Sequence, residues 1–510
     1  MRPTNSLLTR LYIPVSATLL GIGVSLLSIR IQGIYYSAQP FWTDHSYGML
    51  HMADTYFNWK KCGLAPTVRT ELSEEIRSPV FTLLPLLINP GLLKSTLGHM
   101  VWHLPLFVLF ATFLGYEVKK TANSSWLGIS VMTLFITSLV HVSPYFGIAF
   151  NVPDTSPGYL LGIAGLAFLR WKSSGKNLWL ILMSLSISFS VLLRYSTSVY
   201  AFILFAPLVL INCYINYKKN KGVWSTLVKP LILVTVIVSV LCGFYVFKAF
   251  GYYFNYYSYW SVADRGTASI GMWESLKSIV TATAGFFGLL NLALFVLIFI
   301  ILLFIRTRLA KQTGPVRWES FWLGAAVPSF LLLYLQPDGN RVSSAFLAYF
   351  PLLFVGAFGW MNYSVPSFSK QNLATGFVFM VCILSLCRSY YKSKSLVTTN
   401  QHLKIVRSVS EKISAEDSDL TTRIGSFDQP QLADAISLDL WFNHNFMLTP
   451  DTCREHYLQG NTILPDSAFK DCYEYYLTKK NSRAGTGTND SCDVPFTYYR
   501  NDGISIIEIK

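Results

Sequence analysis

Asp44 is the residue whose type and place point most directly to chemistry. It lies in QPFWTDHSYGMLHMADTYFNW, from Gln39 to Trp59, just past the first long apolar run. Five acidic residues, Asp44, Asp54, Glu71, Glu74 and Glu75, fall within the loop that contains it, 34–97. A carboxylate held beside a membrane plane can take a proton as a general base or hold a divalent cation. His45 and Tyr47 stand close to it and are candidate contacts for a substrate.

Further charges sit at the ends of later apolar runs. Asp154 lies in NVPDTSPGYLLGIAGLAFLR, and Arg194 lies in SVLLRYSTSVYAF. Asp264 and Arg265 follow the run near 227–249, and Asp338 and Arg341 lie in QPDGNRVSSAFLAYFPLL. Guanidiniums match phosphate geometry with two parallel hydrogen bonds. A site with both carboxylates and guanidiniums suits transfer from a lipid-phosphate donor to a water-borne acceptor. Taken singly, each of these charges also fits a residue that marks the water interface.

The elements that must position these residues are apolar helices. The chain has 510 residues, of which 52% are hydrophobic, 15% aromatic and only 13% charged. Soluble domains carry about 25% charge. The mean hydropathy is +0.40. Apolar runs recur near residues 11–32, 98–116, 126–147, 156–170, 177–193, 197–215, 227–249, 285–305, 318–335, 342–360 and 371–388. Each is long enough to approach or cross a hydrocarbon core of about 30 Å. The expected fold is therefore an all-α polytopic membrane protein with about 11 transmembrane helices. The apolar piece from Pro79 to Leu93 is broken by Pro85 and Pro90, and reads as an interfacial segment or half of a bent span.

Basic residues set the expected orientation. If the runs alternate in direction, Arg2, Arg10, Lys119, Lys120, Arg170, Lys172, Lys176, Lys218, Lys219, Lys221, Arg306, Arg308, Lys311, Arg317 and Lys370 fall on one side. The acidic residues on that side are Glu117 and Glu319. The positive-inside rule makes it cytoplasmic. The amino end is then cytoplasmic, while the first loop (34–97) and the carboxyl-terminal tail face outward. The net charge of +14 reflects this topology, and a nucleic-acid partner is not expected.

The chain divides into a transmembrane domain over 1–390 and a small soluble α/β domain over 391–510. In the latter, Arg423 to Phe427 reads as a short strand and Leu432 to Trp441 as a helix. Phe496 to Tyr499 and Ile504 to Ile509 read as a hairpin around Asn501-Asp502-Gly503. Cys62, Cys453, Cys472 and Cys492 fall on the outer side, and the pairing favoured there is Cys453 with Cys472. The chain contains no Walker A loop, no G-x-G-x-x-G and no H-E-x-x-H, so nucleotide hydrolysis and zinc proteolysis have no support.

The order of these features resembles the GT-C glycosyltransferase superfamily, and within it the branch of protein mannosyltransferases and aminoarabinose transferases. TDHSYGMLHMADTYFNW stands where that family has its acidic first-loop motif and the helix after it. SPVFTLLPLLINPGLL matches a proline-rich apolar stretch, and Val152-Pro153-Asp154 matches a Pro-Asp opening the fourth span. Arg194-Tyr195-Ser196-Thr197 fits an arginine followed by hydroxyl residues, and Arg341 with Pro351 fits a late arginine before a proline-containing span. The resemblance covers about residues 10 to 390. Many members have two adjacent acidic residues in the first loop, whereas this chain has Asp44-His45. The Arg194 segment also lacks the family's frequent glycine.

The resemblance implies a polyprenyl-phosphate-linked sugar as donor and a glycan, lipid or protein as acceptor. It implies inversion at the anomeric carbon in a bacterial inner membrane. Asp44 would be the base, with Asp154 as the second carboxylate. Arg194, Arg341 and Arg265 would bind the departing phosphate. No cofactor is required by this chemistry, and Mg or Mn would assist if the two aspartates share a metal. Two rival classes fit the composition. One is a transporter or flippase of a lipid-linked or polar substrate, the other a polysaccharide polymerase or ligase. Charges gathered at one face rather than at mid-span favour the transferase.

Overall fold

Among the described residues two glycines in left-handed backbone separate consecutive helices. A computed structural model describes residues 7–36, 43–73, 79–122, 125–143, 147–149, 155–194, 197–220, 228–248 and 371–395, scattered residues among 273–323 and 408–415, and the strands between 421 and 509. Helix α1 spans Leu7–Tyr36, α2 Thr43–Cys62, α3 Leu64–Ser73, α4 Pro79–Ile88 and α5 Met100–Ala122. Next come α6 Ser125–Ile136, α7 Thr155–Ser174, α8 Asn177–Leu193, α9 Thr197–Asn220 and α10 Lys229–Val238. A later helix, α11, spans Gln371–Ser395.

Gly63, at φ 83°, separates α2 from α3, and Gly175, at φ 65°, separates α7 from α8. Each amide closes the turn before it, Gly63 N–H on Trp59 at 2.9 Å and Gly175 N–H on Trp171 at 2.7 Å. Helix α10 runs on through a single π turn, Ser239–Gly243. The first proline-rich stretch is neither a full span nor a loop. It is the ten-residue helix α4 followed by a 3-10 turn, Pro90–Lys94, which Asn89 caps by accepting from Gly91 N–H at 2.9 Å.

Among the described residues four helical stretches are long and apolar enough to cross a membrane: Leu11–Ile34, Met100–Lys120, Ala201–Lys218 and Lys229–Lys248. The polytopic membrane character read from composition is therefore built into the helices. Leu19, Leu26, Phe202, Val240, Phe244 and Phe247 are exposed on them, as lipid-facing positions should be. The run expected near 126–147 is shorter as a helix. It stops at Ile136 and resumes as a 3-10 turn over Leu139–Val142. The runs near 285–305 and 318–335 are described only in part, and the run near 342–360 lies outside the described residues.

The core joins α1, α5, α6, α7 and α8 around Phe107, Phe110, Leu114, Phe135, Tyr159 and Phe168, all buried. Helices α5 and α6 meet backbone to backbone. A Cβ at Gly128 would stand 2.5 Å from the Gly115 carbonyl oxygen. At one end of the bundle two buried carboxylates meet cations. Glu117 on α5 accepts from Arg170 Nε on α7, and Glu319 accepts from Lys172 Nζ, also on α7. Lys119 lies over the Tyr12 ring at 4.9 Å, and Arg170 lies 5.8 Å from the Trp179 ring centroid.

Among the described residues six short strands follow α11. Strand β1 (Thr421–Thr422) pairs in parallel with β3 (Met447–Leu448). Strand β2 (Ile424–Ser426) pairs in parallel with β4 (Tyr475–Lys479), and β4 pairs antiparallel with β6 (Ile504–Ile509). Strands β5 (Phe496–Asn501) and β6 form the expected hairpin, with Asn501 opposite Ile504. That register leaves Asp502 and Gly503 between the two strands, a residue pair common where hairpins turn. Strand β3 lies beside α2. Cys453, Cys472 and Cys492, and the expected helix over Leu432 to Trp441, lie outside the described residues. Among the described residues Cys62, Cys213, Cys242, Cys382 and Cys387 are free thiols.

Candidate active site

Helix α2 begins one residue before Asp44, which therefore belongs to its first turn. Acidic residues there are favoured by the unpaired amides and the helix dipole, an effect of about 0.3–1 kcal/mol. His45 and Tyr47 belong to the same opening turns. One turn further, Met49, His51, Met52, Ala53 and Thr55 are all buried, with His51 and Thr55 four residues apart on one face.

That face is held by Glu71 of α3. Its side chain is 2% exposed. Oε1 accepts from the Thr55 hydroxyl at 2.6 Å, and Oε2 accepts from the Thr82 hydroxyl of α4 at 2.6 Å. His51 Nε2 lies 2.9 Å from Oε2. A carboxylate can only accept, so this nitrogen carries the proton. Burial pushes the Glu71 pKa upward. The charge of His51 and the hydrogen bonds from His51, Thr55 and Thr82 outweigh burial and hold the carboxyl below its ordinary value. Three helices of the first loop thus converge on one ionised oxygen pair.

An apolar seat joins this loop to the bundle. Met52 of α2, Phe81 and Leu86 of α4, Leu93, Trp102 of α5, Leu160 of α7 and Leu193 of α8 form one buried cluster. Rings continue inward from it. His51 stacks on Phe81 at 6.4 Å, Phe81 meets Trp102 edge-on at 5.9 Å, and Trp102 lies 5.5 Å from His103. Tyr159 follows, 5.6 Å from His103 and 6.0 Å from His141. His103 Nδ1 shares a short hydrogen bond with the Ser156 hydroxyl in the first turn of α7.

The residues expected from sequence fall unevenly on this frame. Asp44, His45 and Tyr47 ride on α2. Asp154 lies outside the described residues, directly before the first residue of α7. Arg194 is half-buried and ends α8 in extended backbone, φ −153° and ψ 114°. Its N–H donates to the Ser190 carbonyl at 3.0 Å, and Thr197 N–H donates to the Arg194 carbonyl at 3.0 Å. The Thr197 hydroxyl donates to the carbonyls of Ser190 and Arg194. The hydroxyl residue three positions after the arginine therefore fixes the turn that presents it. Arg265 and Arg341 lie outside the described residues. Leu193 and Leu160 share the seat with Met52, which puts the end of α8 and the start of α7 at the same end of the bundle as α2.

Glu71, His51 and His103 were not singled out by sequence. The His51–Thr55 spacing on α2 is a signal for a shared face, but nothing in it names the carboxylate they serve. Lys94 Nζ lies 5.2 Å from the Tyr56 ring centroid and brings a cation to the same region. Among the described residues no group of three or more His, Cys, Asp or Glu side chains could hold a metal ion. Asp44 and Asp154, the two carboxylates expected to share a metal, have side chains beyond that set.

No protein-family model matches the chain, and no curated protein matches it. The solved structures that match include that of ArnT from Cupriavidus metallidurans bound to undecaprenyl phosphate. The match covers 96% of this chain and 97% of that one, with a TM-score of 0.53 at 10% identity. At that identity the likeness is one of fold. The chain shares the overall fold of that structure, which is the fold that the order of its motifs led one to expect.

Proposed function

We propose that this protein is an integral-membrane glycosyltransferase. It moves a sugar from a polyprenyl-phosphate donor to a glycan, lipid or protein acceptor on the outer face of a bacterial inner membrane. The observation that carries this is the end-to-end match to a fold whose structure holds undecaprenyl phosphate. The convergence of α2, the start of α7 and the end of α8 at one end of the bundle supports it.

In this reading about eleven spans carry residues 1–390, and residues 391–510 form an outer α/β domain. Asp44 takes the proton of the acceptor hydroxyl or amine, and the freed atom attacks the anomeric carbon with inversion. The polyprenyl phosphate leaves with the bond's electron pair. Arg194, joined by Arg265 and Arg341, balances the charge that gathers on the phosphate. Stabilising developing charge is commonly the largest single contribution to catalysis. Asp154 orients the acceptor, or shares a metal with Asp44, while His45 and Tyr47 contact sugar or acceptor.

The purified protein in nanodiscs, given polyprenyl-phosphate sugars, should release polyprenyl phosphate and yield a glycosylated acceptor by mass spectrometry. Net movement of intact donor across the bilayer with no transfer would replace this reading with a flippase. A reporter fused after Lys510 should be active only on the outer side. Cytoplasmic activity there would reverse the topology.

A further inference from the structure

We propose that Glu71 is a positioning residue, clamping α2 to α3 and α4 at a fixed rotation so that the turn carrying Asp44 faces the reaction site. This rests on the transferase reading for its link to catalysis, but the clamp itself does not.

A buried carboxylate is an expensive way to join helices. Apolar side chains of similar volume commonly hold such sites as well or better. What they lack is direction, because the hydrophobic effect is non-directional. The seat under α2, built on Met52, Phe81, Leu86 and Leu93, is apolar and would tolerate sliding or rotation. Glu71 removes that freedom. Its two oxygens take donors from two sides of the joint, His51 and Thr55 on α2 and Thr82 on α4. The His51 ring also stacks on Phe81 and, through it, meets Trp102 on α5, so the clamp is referenced to the bundle.

Asp44 lies seven residues before His51, about 10 Å along the helix axis and two turns away. Fixing the rotation at His51 and Thr55 therefore fixes it at Asp44. A side-chain tip lies roughly 6 Å from the helix axis, so a slip of about 15° would move it by roughly 1.5 Å. A misplacement of about 1 Å can lower turnover on the order of 100-fold.

Two measurements test the proposal together. Spin labels carried on a keto amino acid at positions 46 and 173 report the distance from α2 to the far end of α7, without touching the eight native cysteines. E71Q should broaden or shift that distance distribution, T82V should do so less, and T82S should restore it. An unchanged distribution in E71Q, in protein that elutes as folded, overturns the clamp. In turnover assays E71Q should lower kcat by about 10- to 100-fold with donor KM nearly unchanged. In an Asp44→Asn background E71Q should cost nothing further. An equal loss in both backgrounds would mean that Glu71 acts elsewhere, and would also overturn the proposal. If wild-type protein transfers no sugar, the transferase reading fails and the distance measurement still decides on the clamp.

Discussion

The two ends of the helix bundle bury carboxylates in different company. At the end formed by the last turns of α5 and α7, Glu117 meets Arg170 and Glu319 meets Lys172. At the end under the first loop, Glu71 meets an imidazole and two hydroxyls. The first arrangement pairs permanent charges of opposite sign. Its cations are partly exposed, Arg170 at 20% and Lys172 at 35%. Such pairs hold helix ends together but tolerate small rotations, because a long cationic side chain can follow its partner. The second uses short, directional donors on short side chains, and leaves little angular freedom. One end anchors the bundle, and the other orients a helix.

The sharpest break between the two ends is chemical. Asp44→Asn should abolish transfer, with a loss of about 10²–10⁴ in kcat, since loss of a general base commonly has that size. Folding should be unaffected, because Asn remains a good residue at the start of a helix. The check is turnover of purified protein alongside its elution profile. Near-full activity in Asp44→Asn would place the reaction elsewhere. At the opposite end Glu117→Ala should do the reverse. It leaves Arg170 without its carboxylate, and removing one partner of a buried pair costs about 3–5 kcal/mol. With Arg170 partly exposed the loss should fall at or below the low end of that range, read as a lower Tm in nanodiscs with kcat per folded molecule unchanged.

Much of this contrast was written in the sequence, though not all of it. Alternating the apolar runs put only Glu117 and Glu319 among the basic residues of one side, and those are the two carboxylates found paired with Arg170 and Lys172. Helix α8 occupies 177–193, as its apolar run predicts, because lysine and glycine before it and arginine after it leave no other frame. The hairpin of β5 and β6 was legible because an Asp-Gly pair fixes its turn locally. Glu71 was not legible. Its partners lie 20, 16 and 11 residues away, on two other helices. Periodicity gives the face of a helix, but not which of five nearby carboxylates will meet it. The shortened α6 was missed for a related reason. The run continues apolar past Ile136, yet the Thr137 and Ser138 hydroxyls turn back onto the carbonyls of Thr133 and Leu134, where the helix ends.

Arg194→Lys sharpens the comparison on the side of the binding groups. The backbone of Arg194 closes the turn after α8. A lysine should keep that backbone turn. It cannot offer two parallel donors to a phosphate. The expected outcome is a donor KM raised by roughly tenfold, about 1.4 kcal/mol by the usual conversion. Steady-state kinetics with varied donor checks it. An unchanged KM would reduce Arg194 to an interface anchor.

The smallest effect is one of pH, and it separates the two ends without any substitution. Glu71 has a pKa below its ordinary value of 4.5 in the folded protein. Folding therefore favours its ionised form. The stabilisation is fully present above the ordinary value and is lost as pH falls through the folded one. Among the described residues His51 is the ionisable group that faces it, while Thr55 and Thr82 carry no titrating charge. As the carboxyl takes up its proton, one oxygen stops accepting and the hold on His51 weakens. The first loop should then loosen at a pH where the rest of the helices stay folded. Hydrogen exchange at stepwise lower pH would show it, as amides of α2 and α3 losing protection before those of α5 and α7. E71Q should remove that pH step and exchange at the loosened rate throughout. If α2 keeps its protection down to the pH at which the whole bundle unfolds, Glu71 is not what ties the loop to the bundle.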